Sequence, residues 1–405
     1  MTETIAEQTQ TPTIRLRIFG RTDVGRVREH NEDNFLVADL TRRSRTLEDQ
    51  DRLQTVGERG TVLAVCDGMG GAAAGEVASE LAVNIIYEKL AEADPPKDRD
   101  ELARRLVRAV EAAGLRIYSE AKLDRQHRGM GTTATVAALV DSFLFLSQVG
   151  DSRGYILRGD RLVQVTRDQS LVNQLIEAGQ LTEEEAENFE HNNIILQALG
   201  TADTVQVDLT FVELRRGDTL LMCSDGLSGM VRFDDIRETL LRNPDPADAC
   251  RVLIEKANNA GGHDNITCIV GRFEGDGLRD VAPEDPQLTY AKYSLPEDPS
   301  AEPTPAGRRA GFKDVDQPRI GGEVKDRLTD HGPSKSKVAQ TLVGGQMPML
   351  AAGDPSLKGA WQEGPIDDDD NIVLPVDGAP LWVLFAIVVG VFGAIIGLAF
   401  FLMRT

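Results

Sequence analysis

Apolar residues recur along residues 14–274 in two rhythms. Short apolar runs bounded by polar text read as strands, first IRLRIF at 14–19 and then TVLAVC at 61–66. Two longer stretches repeat at helical spacing. In EVASELAVNIIYEKLAEA (76–93) Val77, Leu81 and Ile85 share one face, and in DELARRLVRAVEAAGLRIYSEAK (100–122) Leu102, Leu106 and Val110 do so. From residue 133 the rhythm shortens again. TATVAALV (133–140) and FLFLSQV (143–149) flank Asp141-Ser142, while GYILR and RLVQVT flank Gly159-Asp160, a link of the kind that closes a hairpin. SLVNQLIEAG is helical in pattern, TEEEAENF starts at Thr182 as an N-cap, and DTLLMCS (218–224) and NITCIVGRF (265–273) are late strands. Strands that come in hairpins and helices that come in pairs predict an α+β fold or layered sandwich with mostly antiparallel sheets, not a βαβ repeat.

The pattern fades after residue 274. Residues 275–380 are acidic and rich in proline and glycine; from 276 they hold 13 of the 18 prolines, with 19 acids against 11 bases. Such text buries too little apolar surface to offset its ordering entropy, so it predicts a disordered tether. Residues 381–403 (LWVLFAIVVGVFGAIIGLAFFLM) then run for 23 positions without a charge. At about 1.5 Å per residue in a helix this is long enough for a hydrocarbon core of roughly 30 Å, so a transmembrane helix in contact with membrane lipid is expected. The first residues, MTETIAEQTQTPT, lack the basic and apolar regions of a secretory signal. The expected arrangement is therefore a single-pass membrane protein whose folded part faces the cytoplasm.

Composition narrows the class. The chain has 405 residues, 41% hydrophobic and 27% charged, with a formal net charge of −21. That balance disfavours nucleic acid as a partner, because such affinity begins with phosphate neutralisation by Lys and Arg. Cys66, Cys223, Cys250 and Cys268 show no CxxC spacing, so buried thiols in a reducing compartment are expected rather than disulfides or a structural zinc.

Acids at strand ends carry the candidate chemistry. Asp67 follows TVLAVC and precedes Gly68-Met69-Gly70-Gly71; Asp151 follows FLFLSQVG; Asp225 follows DTLLMCS; Asp264 precedes the last strand; Glu32 and Asp33 follow VREHN. A single Asp-Gly is usually a turn. The same context repeated at several strand ends predicts a hard-oxygen site suited to Mg²⁺ or Mn²⁺. Arg28, five positions before Asp33, becomes a phosphate clamp if it stands beside such a site, because its fork matches two phosphate oxygens. Together these residues suggest metal-assisted phosphoryl hydrolysis, with water acidified by bound cations.

The stretches TDVGRVREHNEDNF, VCDGMGG, MGTTAT, QVGDSRGYILRGDRLVQVTRDQS, CSDGLSGM and GGHDNITCIV occur in this order. In them the chain resembles the metal-dependent protein phosphatases, the type 2C serine/threonine phosphatases, in their bacterial form. The resemblance covers residues 14–274 and implies a β-sandwich of two antiparallel sheets flanked by helices, a four-layer αββα arrangement. It implies that Asp67 bridges two metals, that the Gly68 carbonyl binds the second, and that Asp225 and Asp264 bind the first. Glu32 and Asp33 resemble acids that hold the second metal largely through waters. Asp151 resembles a ligand, shared with Asp225, of a third and weaker metal. Arg28 resembles the phosphate-binding arginine, and Thr132 and Thr133 resemble structural residues. Leu171 to Gly200 resembles the flap beside the active site. Met69 stands where some members place a histidine credited as general acid, so that role is open here, and His263 is a weak substitute. Implied partners are phosphorylated proteins, with bacterial serine/threonine kinases and their substrates foremost. Two alternatives remain: a catalytically silent phosphoprotein-binding scaffold, which would need lost ligands, and a hydrolase of small phosphate esters.

Overall fold

The computed structural model describes residues 12–45, 52–70, 74–186, 189 and 193–296. Its strands are β1 (Arg15–Asp23), β2 (Asn34–Asp39), β3 (Leu53–Thr55), β4 (Thr61–Cys66), β5 (Gly68–Met69), β6 (Gly131–Thr132), β7 (Ala134–Val140), β8 (Phe143–Val149), β9 (Arg153–Arg158), β10 (Arg161–Gln164), β11 (Asp208–Glu213), β12 (Thr219–Cys223) and β13 (Ile266–Glu274). The helices are α1 (Ala74–Ala91), α2 (Arg99–Leu123), α3 (Leu171–Glu177), α4 (Glu183–Ala186), α5 (Asp225–Ser228), α6 (Phe233–Arg242) and α7 (Pro246–Asn259).

Two antiparallel sheets form the centre. One has six strands in the order β10-β9-β12-β13-β1-β3, the other five in the order β11-β8-β7-β4-β2. Side chains alternate along each strand, and both faces are covered, which is why the strands read as continuous apolar runs. In β7, Ala137 and Leu139 join Leu16, Ile18, Leu146, Ile156 and Ile269 in the layer between the sheets. Val136, Ala138 and Val140 face the other way, into a layer with α1 and α2. Tyr155, Leu221 and Val270 of the six-stranded sheet meet Leu240, Leu253 and Ile254 of α6 and α7 in the third layer. Four layers result, as expected, and each fully buried Leu or Ile contributes about 1.5–3 kcal/mol relative to exposure.

The turns match their residues. Asp141 adopts φ +48° between β7 and β8, and Gly159 φ +61° between β9 and β10, the left-handed region that two-residue hairpin links require. Ahead of α4, the Glu185 N–H donates to Thr182 Oγ1 at 3.2 Å and the Thr182 N–H to Glu185 Oε2 at 2.9 Å, a reciprocal cap. In α2 the predicted stripe Leu102, Leu106 and Val110 is buried. In α1 it is displaced: Ala78, Ala82, Val83 and Ile86 are buried, while Val77, Leu81 and Ile85 are half-buried against the same core. Small side chains permit the closest approach, so the tightest contact falls on the alanines.

The expected boundary needs correction. The tether was placed at 275–380, yet residues 276–296 pack as a strap on the domain. Leu278 is 1% exposed within the inter-sheet core. The Tyr293 N–H donates to Leu209 O at 2.6 Å, Lys292 bridges to Thr210, and the Tyr293 ring lies 5.1 Å from Phe145. This covers edge strand β11, whose unpaired backbone would otherwise face outward. The rest of the tether and the uncharged stretch 381–403 lie outside the described residues. Among those described, no helix is long and apolar enough to cross a membrane. All four cysteines are free and buried.

Candidate metal centre

Asp67 leaves the end of β4, a strand buried along its whole length. Its peptide is clamped from both sides. The N–H donates to Thr133 Oγ1 at 3.0 Å, and the carbonyl accepts from the Thr133 N–H and the Thr132 hydroxyl, each at 2.8 Å. Thr133 Oγ1 also meets Ser152 Oγ at 2.8 Å, next to Asp151. Thr132 and Thr133 are thus positioning residues.

Gly68 is required by close packing. A Cβ there would stand 2.2 Å from the Gly75 carbonyl oxygen and 2.6 Å from that of Glu32. The Gly68 N–H donates to Glu32 O at 3.2 Å, and the Ser79 hydroxyl to the same oxygen at 2.6 Å. Glu32 is therefore tied to the Asp67-Gly68 motif through its backbone, and its carboxylate lies against Gly75 at the start of α1.

Asn265 assembles the remaining parts. Its Nδ2 donates to Val24 O at 3.0 Å and His30 O at 2.9 Å, while its Oδ1 accepts the Glu32 N–H at 2.8 Å. This buried amide fixes the segment that carries Arg28, Glu32 and Asp33 against Asp264. Arg28 Nη2 is 3.1 Å from Asp264 Oδ2, and the Asn265 N–H donates to Asp264 Oδ1 at 2.7 Å. Ser224, ahead of Asp225, donates its hydroxyl to Asp33 Oδ2 at 2.7 Å and accepts the Thr267 N–H at 3.0 Å. Sequence reasoning gave no role to Asn265 or Ser224, although both adjoin a predicted acid.

The acids perturb one another. Burial, then the charges of Asp33, Asp225, Asp264 and Asp151, holds the Asp67 carboxyl well above the ordinary carboxylate range. Burial and then Asp225 and Asp168 do the same to Asp151. Asp225 is raised by burial and then by Asp264. Asp33 is pushed to about 7, mostly by burial, against the stabilising bond from Ser224. Asp33, Asp67, Asp151 and Asp225 are raised together, and the charge of Asp264 acts on three of them, so the five carboxylates lie in one locus.

The donor set fits divalent cations. Among the described residues, Asp33 Oδ1, Asp151 Oδ1 and Asp225 Oδ1 are buried with no hydrogen-bond donor against them. A buried, unanswered carboxylate oxygen is costly, and a hard cation answers it. Among the described residues, no three acidic, imidazole or thiol side chains converge closely enough to hold an ion by themselves. Met69 is buried beside Ile195 and Ala198 and offers no proton, and His263 is exposed.

Comparison with known proteins agrees. A family model described as protein phosphatase 2C matches residues 41–261, more than half of the chain. This span includes Asp67, Asp151 and Asp225. The serine/threonine phosphatase stp of Listeria innocua is 38% identical over 250 residues, 62% of this chain and 93% of that protein. The serine/threonine protein phosphatase PstP of Mycobacterium tuberculosis is 38% identical over 258 residues, 64% of this chain and 45% of that protein. A crystal structure of the M. tuberculosis phosphatase PstP/Ppp matches with a TM-score of 0.55 and 36% identity, covering 64% of this chain and 99% of that one. The PstP catalytic domain in complex with two manganese ions matches with a TM-score of 0.54 and 36% identity, covering 65% and 100%.

Proposed function

Because the chain belongs to the protein phosphatase 2C family, we propose that its acidic locus hydrolyses phosphoserine and phosphothreonine in proteins by direct attack of water, without a phosphoenzyme. The chain is a serine/threonine protein phosphatase. Asp67, Asp225 and Asp264 would hold one Mn²⁺ or Mg²⁺; Asp67, the Gly68 carbonyl, Glu32 and Asp33 a second; Asp151 with Asp225 a third, weaker one. When bound, such ions supply a nucleophile from water at neutral pH and offset charge on the phosphoryl oxygens.

The protein's own residues do the rest. Arg28, held at Asp264, directs guanidinium N–H donors to two phosphoryl oxygens and orients the ester. Asn265 and the Thr132–Thr133 pair keep the acids at fixed places, so little reorganisation accompanies reaction. Met69 has no proton to give, so the serine or threonine alkoxide takes its proton from solvent.

The observation that carries the reading is the set of buried, unanswered oxygens on Asp33, Asp151 and Asp225. Purified full chain should hydrolyse a phosphothreonine peptide with Mn²⁺ and stop in EDTA; turnover indifferent to EDTA would defeat it. We also propose that residues 381–403 anchor the enzyme, with the phosphatase domain on the cytoplasmic side, among kinases and their substrates. The uncharged length of that stretch supports this. Detergent should be needed to extract the full chain from membranes, and release by carbonate alone would refute the anchor.

A further inference from the structure

A groove of about 1700 Å³ runs from the metal motif across one side of the domain. Met69 and Gly70, the residues after Asp67-Gly68, line it, together with the end of α2 and the turn after it, the stretch from Arg167 to Glu177, and residues 196–208. Three of its six acids are paired with cations. Asp168 is bound by Arg153 at 2.7 Å, and Glu177 is paired with Arg167. Asp208 takes Lys292 at 3.2 Å and the Tyr290 hydroxyl at 2.6 Å. Asp124 accepts the Gln126 N–H at 2.9 Å, and burial raises the Glu111 carboxyl. Asp203 shares an adjoining smaller pocket with Arg108.

The cations of the groove differ. Arg125 and Arg128, on the turn after α2, are exposed and make no ion pair among the described residues. Lys122, one turn earlier, lies 4.1 Å over the Tyr118 ring, a contact that holds the ammonium in place and leaves its charge uncancelled. Three cations without an acidic partner thus line a groove that begins at the metal motif, alongside Asp124 and Asp203, which make no ion pair with Lys or Arg among the described residues, in a chain of net charge −21.

We propose that Lys122, Arg125 and Arg128 form a specificity site for acidic side chains flanking the phosphorylated residue, so that the enzyme prefers phosphopeptides carrying Asp or Glu near the scissile phosphate. This rests on the phosphatase reading of the metal centre and extends it from the reacting group to its neighbours. An extended peptide advances about 3.3 Å per residue, so positions beyond the phosphoresidue enter the groove while the phosphate stays at the acids. Exposed pairs are individually weak, so the preference is a modest sum of contacts and falls as salt rises.

The test compares kcat/KM of the full chain with Mn²⁺ on three substrates: p-nitrophenyl phosphate, a neutral phosphothreonine peptide, and peptides with acidic residues on either flank. The acidic peptides should be favoured about three- to tenfold at low salt, on one flank more than the other. The double variant Arg125→Glu/Arg128→Glu should lose that preference while keeping its rates on the neutral peptide and on p-nitrophenyl phosphate. No preference in the parent enzyme, or a preference that survives in the variant, overturns the proposal. Fluorescence anisotropy with Asp225→Asn as host reads the groove without turnover. Tighter binding of the acidic peptide there, abolished by the two Arg→Glu changes, supports the groove even if the hydrolytic reading fails; equal binding of both peptides overturns it.

Discussion

Two acid-rich regions of this molecule treat the same side chain in opposite ways. At the metal centre, burial and mutual repulsion hold Asp33, Asp67, Asp151 and Asp225 above the ordinary carboxylate range. On the strap, Arg215 grips Asp285 through two bonds, at 2.9 and 3.1 Å, and holds its carboxyl far below that range. Glu213, against its own burial, is lowered by Arg279 and Arg215. Strap acids fasten a segment to the fold and are satisfied within the protein. At the site, one carboxylate oxygen each of Asp33, Asp151 and Asp225 is left without a donor, at a cost to the fold that a cation would offset. Buried carboxylate oxygens without an internal donor therefore mark the site more sharply than the number of acids does.

The sharpest test is a double dissociation. Asp225→Asn should lower peptide turnover by more than about a hundredfold, since it removes a charge proposed to hold the cation. The melting temperature of the same variant in EDTA should hold or rise, because a repelled charge is gone. Asp285→Asn should do the reverse, with turnover near that of the parent and a lower melting temperature. Near-parental turnover of Asp225→Asn at saturating Mn²⁺ would erase the contrast.

Arg28 lies between the two behaviours, since it pairs with Asp264 and is proposed to hold the substrate phosphate. Arg28→Ala should reduce kcat/KM about ten- to hundredfold, mainly through KM, with only partial rescue by Arg28→Lys, because a point charge cannot make the forked contact. Unchanged kinetics would make Arg28 a structural partner of Asp264, like the arginines of the strap.

The strap itself is next. A chain ending at residue 296 should match the full chain on a soluble peptide. One ending at 275 should melt lower or aggregate, because β11 loses its cover and Leu278 and Tyr293 lose their places. Leu278→Ala alone should cost about 2–5 kcal/mol by denaturant titration. Equal stability of the two truncations would return residues 276–296 to the tether.

This segment also marks where the sequence stopped being legible. TVLAVC, TATVAALV and FLFLSQV were readable because burial on both faces leaves no polar break, and their turns because Asp141 and Gly159 sit where left-handed backbone is needed. The strands at 34–39 and 208–213 and the helices at 233–259 went unassigned; NFLVAD and DLTFVE are short and carry acids at their ends. The strap is held by ion pairs, tyrosine hydroxyls and one leucine, none of which produces an apolar period, and its prolines and acids resemble tether. At the site, each acidic ligand candidate was visible at a strand end, while the Gly68 carbonyl was suggested only by the family resemblance. Asn265 and Ser224 were not visible, because their partners, His30 and Asp33, are remote in sequence and are recognised only once β1 and β13 lie side by side.

The smallest effect is in pH, and its sign separates the two regions. Asp33 titrates near 7 in the fold against 3.8 ordinarily. A raised carboxyl means that the folded state keeps its proton longer than the unfolded chain, so its contribution to stability is complete below about 3.8 and is lost as pH rises through about 7. Asp285 works the other way: its contribution is present above the ordinary value and lost as pH falls through its depressed one. In EDTA the melting temperature should therefore peak near pH 4, falling on the acid side as the strap loosens and declining from about pH 4 to pH 7 as the site acids ionise. Asp33→Asn should flatten the neutral limb and Asp285→Asn the acid limb. Mn²⁺ should lift the neutral limb alone, since it binds the ionised acids. A melting temperature in EDTA that climbs steadily from about pH 5 to pH 8 would mean that the site acids are already ionised and answered within the protein, and the contrast with the strap would be gone.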